Sequence, residues 1–402
     1  MKVLRHIVVL LLIACTVSAR AAQDTLRLDS LRASLLTVTP GNDSYSLYGH
    51  TALRISSPQG LDMVFNYGAF SPETENFLWK FSLGQTDYTL IVERMSDVLM
   101  WYTMEGRYVI EQQLDMRPEE VRRLFDAMRR QAATPGWTYR YTFLTDNCAT
   151  RPVALLEEAL GGTLRWRENT PSVTFRELIH QHVLPRHAWS SFGQDLLLGA
   201  ALDTLVDQRA HVAFPMELLR MMGSAEALMA DGSTRPLVVR TDTLNAGMLP
   251  TEDSPVADGW SEVLTSPLAL ALSFLLMVVV ASWLQLRRRP RFAAVLDSLW
   301  MLAQALVGLV VWFEFFFSAL PAVDSNCLIL LFTPLPFVWW LAGMLRRPWG
   351  GRSFYVAYVQ PLTTLFYVVA FLALGQAVPL ALNVLALSLL IRGATEMRYR
   401  KK

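Results

Sequence analysis

The last third of the chain is a succession of apolar runs that no water-soluble core could absorb. A bilayer-spanning helix needs about 20 apolar residues. The runs Pro267 to Leu286, Ser298 to Ser318, Cys327 to Leu345 and Phe354 to Leu374 approach that length, and a shorter one follows from Ala377 to Ile391, five spans in all. Arg287, Arg288, Arg289 and Arg291 follow the first, Arg346, Arg347 and Arg352 the third, and Arg392, Arg398, Arg400, Lys401 and Lys402 the fifth. Basic clusters of this kind stay on the cytoplasmic side. The loops Ala319 to Asn326 and Gly375 to Pro379 hold no Lys or Arg and are expected on the opposite side. An odd number of spans with a cytoplasmic C-terminus then places everything before Pro267 outside the cytoplasm.

The N-terminus agrees. Lys2 and Arg5 precede the apolar stretch Ile7 to Ala14, and Ala19-Arg20-Ala21 offers a cleavage site, so residues 1–21 are expected to be a secretory signal peptide. Leu12-Ile13-Ala14-Cys15 also resembles a lipobox, and export follows from either reading. A chain of 402 residues that is 52% hydrophobic and 18% charged is thus an average over two unlike parts, residues 22–260 and 261–402. Its net charge of +1 provides no field to steer nucleic acid, which is not expected as a partner. Three cysteines, Cys15, Cys148 and Cys327, cannot make a disulfide framework.

Residues 22–260 mix polar and apolar positions as a globular domain does, and the expected class is α+β. Ser30 to Leu36 reads as a short helix. Thr51 to Ser56 and Leu61 to Tyr67 read as a hairpin through Ser57-Pro58-Gln59-Gly60, with Tyr88 to Arg94 and Gly106 to Leu114 as further strands. Pro118 to Ala132 reads as a helix opened by Pro118, Glu119 and Glu120.

The stretch from Tyr139 to Pro152 carries the chemistry. An aromatic-rich segment runs into a helix with Asp146 or Asn147 as N-cap and Leu155, Leu156, Ala159 and Leu160 as its apolar face, so Cys148 falls at a helix N-terminus. The positive end of the helix, with Arg151 close by, favours the thiolate that attacks an electrophile. A nucleophilic cysteine needs a base, and His50, ahead of the hairpin, is the candidate. Asn66 on the second hairpin strand comes roughly opposite His50 and is a candidate to orient its imidazole, although a register slip of one would put it on the other face.

Gly49-His50, Phe65-Asn66-Tyr67-Gly68, and Tyr141-Thr142-Phe143 leading to Asp146-Asn147-Cys148-Ala149-Thr150-Arg151 resemble the Lnb family, lipoprotein N-acyltransferases of Bacteroides and relatives. That family joins an exported domain to a multispan C-terminal region, so the resemblance covers nearly the whole chain. The order His-then-Cys is also similar to permuted papain-like proteins of the NlpC/P60 and lecithin:retinol acyltransferase kind. The resemblance implies an inner-membrane enzyme whose catalytic domain is periplasmic and permuted papain-like, followed by an all-α domain of about five helices. Cys148 would take an acyl chain from a membrane phospholipid, or from a lipoprotein acyl chain, as a thioester, and pass it to the α-amine of the lipidated N-terminal cysteine of a bacterial lipoprotein. His50 would handle the proton transfers, with the backbone N–H of Cys148 and either Tyr48 or Arg151 as oxyanion donors. The rivals are a cysteine hydrolase, acting on peptidoglycan peptides or lipid esters, and a non-catalytic envelope module in which Cys148 is structural.

Other features are weighed against blander readings. His180, His182 and His187 invite a metal, but on a helix the first two diverge, and the chemistry proposed calls for neither metal nor cofactor. Asp195, Asp203 and Asp207 read as a solvated face. Within the spans, Asp297 is expected at the cytoplasmic edge and Glu314 near the outer end of the second span, where it could bind the lipoprotein amine or simply reach water. Cys327 reads as a small apolar residue.

Overall fold

The computed structural model describes residues 30–70, 75–184, 187–229, 231–245, 263–345 and 351–401. The expected signal peptide, the lipobox resemblance at Cys15, and the junction between the two parts lie outside these residues, as do Arg346 and Arg347.

The exported part is built on a sheet of seven strands in the order β10-β5-β1-β2-β3-β4-β6. The strands are β1 (Arg32–Val38), β2 (His50–Ser56), β3 (Asp62–Ala69), β4 (Asp87–Arg94), β5 (Val109–Leu114), β6 (Tyr139–Arg140) and β10 (Val238–Thr243). Strands β7 (Gly162–Arg165), β8 (Glu226–Met229) and β9 (Thr234–Pro236) form a small second sheet. Between them lie α1 (Phe77–Ser82), α2 (Met95–Met104), α3 (Pro118–Ala133), α4 (Thr150–Leu160), α5 (Phe175–Val183), α6 (Ala188–Leu197) and α7 (Pro215–Met222).

One expected element is corrected. Ser30 to Leu36 is not a helix; Arg32–Val38 is the strand β1, flanked by β2 on one side and β5 on the other. Both faces of β1 are covered, so Ala33, Leu35, Leu36 and Val38 are all buried. A strand buried on both faces lacks the alternation of period two that identifies half-exposed strands. One face of the sheet packs Leu35, Leu53, Ile55, Phe65 and Tyr67 with Leu124, Val153, Leu156 and Leu218 from α3, α4 and α7. The other packs Leu36, Val38, Ala52, Val64 and Val109 with Met95 and Val98 of α2.

The membrane part contains four helices long and apolar enough to cross a bilayer among the described residues: α8 (Pro267–Leu286), α9 (Arg291–Phe317), α11 (Arg352–Leu374) and α12 (Leu380–Arg400). The expected third span, Cys327 to Leu345, is not one helix. It opens with a 3₁₀ turn, Cys327–Ile329, runs non-helically to Pro334, and continues as the short α10 (Leu335–Met344). Pro334 and Pro336 open α10, because a missing N–H costs nothing in a first turn and breaks a helix interior. Unwound backbone at this depth must find partners within the protein. Trp312 Nε1–H donates to the Ile329 carbonyl at 2.8 Å and Gln304 Nε2 to the Leu331 carbonyl at 2.8 Å. Gly308 lets this segment lie against α9, since a Cβ there would come within 2.5 Å of the Thr333 carbonyl carbon.

Direct bonds join the two parts. The Ala319 N–H donates to Leu83 O at 3.0 Å, Gly199 N–H to Ala322 O at 2.7 Å, and Asn326 Nδ2 to Leu196 O at 2.8 Å. The exported domain therefore sits on the helix ends that carry Ala319 to Asn326 and Gln376. Arg287 to Arg291, Arg352 and Arg398 to Lys401 fall at the opposite ends.

Candidate active site

The antiparallel register sets which strand ends meet. Val38 at the end of β1 pairs with His50 at the start of β2 and with Val109 at the start of β5. The end of β3 and the start of β4 arrive at the same edge, Ala69 opposite Thr89. This edge faces the membrane part, because Leu83, just before β4, bonds to Ala319 beyond α9.

His50 and Asn66 come together there. Leu53 pairs with Phe65, so Asn66 stands one two-residue step from the position directly opposite His50, on the same face. The His50 Nε2 to Asn66 Oδ1 distance is 3.1 Å. An amide oxygen only accepts, so this contact places the imidazole proton on Nε2 and leaves Nδ1 as the nitrogen able to take a proton. Asn66 Nδ2 in turn donates to Glu93 Oε2 of β4 at 2.5 Å, which fixes the orientation of the amide. Burial pushes the His50 imidazole down to about 4, and the Arg107 guanidinium adds to that shift while the Asn66 bond opposes it. The imidazole at neutral pH is therefore uncharged.

Cys148 is presented by a tight loop. Thr142 and Asp146 exchange backbone bonds at 3.0 Å in each direction. Asn147, three residues ahead of α4, is fully engaged: its Oδ1 accepts from the N–H groups of Ala149 at 2.8 Å and Thr150 at 3.0 Å, and its Nδ2 donates to the carbonyls of Phe143 and Ala213 at 2.8 Å each, while the N-cap position falls to Ala149 and not to Asp146 or Asn147. Ala149 packs into the core, and Cys148, two residues ahead of α4, is held 8% exposed. Gly68, at φ +89°, makes room for it, since a Cβ there would stand 3.2 Å from the Tyr141 ring and 3.4 Å from the Cys148 Cβ. The backbone N–H of Thr51 bonds the thiol, and Thr51 is the residue next to His50, so thiol and imidazole share one strand end. Burial raises the thiol above its ordinary value, against the combined pull of the Thr51 N–H, the Tyr141 hydroxyl, its own N–H and the Arg107 charge. An uncharged thiol and an uncharged imidazole therefore lie at one strand end, the starting arrangement that general-base activation of a cysteine requires.

The remaining candidates go elsewhere. The Tyr48 hydroxyl donates to Gln194 Oε1 at 2.6 Å and its ring packs on Phe143 and Phe214. Arg151 pairs with Asp146 at 2.7 Å and lies over the Tyr139 ring at 3.6 Å, bracing the loop that presents Cys148. Glu314, on α9, is buried in the membrane part, and its Oε2 has no partner among the described residues. His180 and His182 lie on α5 and diverge, towards Asp195 at 2.9 Å and Glu217 at 3.7 Å. The expectation of a solvated acidic face is corrected: Asp195 and Asp203 are drawn inward by Arg176, each at 2.7 Å, while Asp207 caps the turn Gln208–Ala213.

Family models match both parts: the Lnb N-terminal periplasmic domain over residues 18–181 and the Lnb transmembrane domain over residues 260–402. The chain belongs to the Lnb family. It is a membrane protein with a periplasmic N-terminal domain. No curated protein and no solved structure matches it. The Lnb N-terminal match runs from before β1 to within α5 and so contains His50, Asn66 and Cys148.

Sequence reasoning missed two residues that bear on His50 and Cys148. Glu93, which holds Asn66, was detectable only as a polar residue of β4 on the face of Asn66, opposite Val64. Arg107 is buried between β1 and β5, its Nε bonded to Thr39 O at 2.7 Å and Nη1 to Glu105 at 3.0 Å, with Nη2 left without a partner among the described residues. A buried arginine in a connecting loop leaves no periodic signal.

Proposed function

We propose that the chain is a lipoprotein N-acyltransferase of the inner membrane, with its C-terminus cytoplasmic and its thiol at Cys148 as the acyl carrier. The observation that carries this reading is the placement of the Cys148 and His50 edge of the sheet over the outer ends of the membrane helices. Esters of membrane lipids lie at that level, whereas a peptidase of the cell wall would gain nothing from such placement.

In the first half-reaction His50 Nδ1 takes the thiol proton as Cys148 Sγ attacks the ester carbonyl of the donor, a phospholipid or a lipoprotein acyl chain. The tetrahedral oxyanion is met by the Cys148 backbone N–H at the N-terminal end of α4. Its collapse expels the alcohol, which leaves with the proton from His50, and a thioester remains. In the second, the neutral α-amine of a lipidated N-terminal cysteine attacks the thioester, the amine proton passes to His50, and the thiol is regenerated as the amide departs. The residues named use no metal or cofactor. Asn66 and Glu93 are positioning residues that act through the imidazole. Residues 1–21 are the signal peptide in this reading, 22–260 the papain-like catalytic domain and 261–402 the membrane anchor.

The test is intact mass spectrometry of the detergent-purified protein after incubation with phospholipid, then hydroxylamine. An acyl-sized, hydroxylamine-labile increment is expected, absent from Cys148→Ala. If Cys148→Ala retains lipoprotein acylation, the thioester mechanism is wrong. Release of the acyl group to an added lipoprotein amine, with slow loss to water, separates transfer from hydrolysis.

A further inference from the structure

Helix α2 crosses one face of the sheet from its far edge to the edge that carries the site. It begins directly after Arg94, the last residue of β4, and leads through Glu105 to Tyr108 into β5, whose first residue Val109 pairs with Val38. Met95 and Val98 face the sheet. Met100, Trp101 and Met104 face outward, 62%, 58% and 76% exposed, and they occupy the end of the helix nearest the site. Single exposed apolar side chains are ordinary, but three large ones contiguous on one short helix mark a surface made for an apolar partner.

What covers them follows from α1, which lies at the same membrane-facing edge of the sheet. Helix α1 precedes β4 at the same edge, and its Trp79 ring lies 5.0 Å from Phe313 near the outer end of α9. The turn after α1 bonds to Ala319. Trp79 remains 58% exposed, and Lys80 beside it is exposed as well. The level of the membrane is set by α9, whose Phe316 and Phe317 point outward as an interfacial aromatic belt does.

We propose that Trp79 of α1 and the Met100, Trp101 and Met104 face of α2 are immersed in the outer leaflet of the membrane, where phospholipid acyl chains cover them. Tryptophan at the headgroup level, unbranched methionine against disordered chains and a lysine at the phosphate are the side chains such a surface uses. The rim flanks the edge that bears Cys148, so a lipid chain reaches the thiol without leaving the leaflet. The immersion rests on the placement of the domain and not on the acyl-transfer chemistry; only the route to the thiol rests on that reading.

The full chain, reconstituted in vesicles of phosphatidylethanolamine and phosphatidylglycerol, is tested with p-benzoylphenylalanine in place of Trp101, of Met104, or of Val239. Val239 is 64% exposed and sits beside Val238, which pairs with Leu114 at the opposite edge of the sheet. Irradiation is expected to attach phospholipid at positions 101 and 104 at about tenfold the yield at 239. In a second arm, the probe at position 101 is combined with Met104→Glu, and its lipid yield is expected to fall. Yields at 101 and 104 no higher than at 239 would overturn the proposal. Lipid adducts in a protein that forms no acyl-enzyme would uphold the immersed surface and refute the chemistry.

Discussion

Arg176 and Arg107 are both buried in the periplasmic domain, and they are used in opposite ways. Arg176 engages all three guanidinium nitrogens: Nε and Nη2 on Asp203, Nη1 on Asp195, and Nη2 again on the carbonyls of Leu198 and Gly199, at distances of 2.7 to 3.1 Å. Its cluster stitches α5 and α6 to the turn that meets the membrane loop, where Gly199 bonds to Ala322. Arg107 leaves Nη2 without a partner among the described residues, and its charge reaches both His50 and Cys148. His50 likewise has one bonded nitrogen and one available. Saturated polar groups specify a structure, whereas polar groups left with unspent capacity are where a substrate can enter the accounting. In the membrane part Arg392 is intermediate: it pairs with Asp297 at 2.7 Å and Glu396 at 3.1 Å, while its Nη1 has no partner among the described residues.

The sharpest break of that contrast is at the base. His50→Ala is expected to lower acyl-enzyme formation by about 10²- to 10⁴-fold, the usual worth of a positioned general base, with the protein still folded. Single-turnover acylation read by mass checks it, and a loss below about threefold would remove His50 from the mechanism. On the structural side, Arg176→Met leaves Asp195 and Asp203 buried without their cation. It is expected to cost about 3–5 kcal/mol of stability, the range for breaking a buried pair from one side. Thermal unfolding in detergent measures it, and a domain that unfolds at the unchanged temperature would mean these carboxylates are solvated after all.

Much of this division was legible beforehand. The hairpin, β4, β5 and α3 are where turn residues, alternation and a proline-glutamate opening put them, and Asn147 accepts from N–H groups ahead of the apolar helix, although the N-cap itself is Ala149. What escaped did so for physical reasons. β1 is buried on both faces and shows no alternation. The third apolar run measures hydropathy, which does not report whether a segment is helical, although Thr333-Pro334-Leu335-Pro336 within it was the available warning. Glu93 and Arg107 join the site through pairing between strands distant in sequence, and no local pattern encodes that. Asp195 and Asp203 look like a wet surface until Arg176 is placed between them.

A smaller effect tests the positioning chain. Asn66→Ala removes a hydrogen bond to the imidazole worth about 1 kcal/mol, so acylation is expected to slow by about three- to tenfold, with the donor KM unchanged. Asn66→Asp keeps an acceptor for Nε2 but sets its second oxygen against Glu93 Oε2, so the double variant Asn66→Asp, Glu93→Gln is the one expected to restore most of the rate while raising the pH at which His50 protonates. A fall in KM-controlled steps alone would instead mark Asn66 as part of the binding surface.

The finest distinction is in pH. In the proposed mechanism the neutral imidazole is the form that takes the thiol proton, and burial with the Arg107 charge holds His50 at about 4, below its ordinary 6.5. Acylation is therefore expected to persist as pH falls from neutrality and to decline only on approaching about 4. The same depression links to stability: between 6.5 and about 4 the unfolded chain binds a proton at His50 that the folded chain refuses, so this site loses stability as pH falls through that window. Arg107→Gln removes the cation while keeping a polar group of similar reach, and the acid limb is expected to move upward by a fraction of a pH unit. Arg107→Lys, which keeps the charge, is expected to leave the limb in place. The kcat/KM profile of the three proteins over the acid range decides it. A wild-type limb near 6.5 would show a solvated imidazole, and the contrast between a saturated Arg176 and an Arg107 that tunes the site would then lose its functional half.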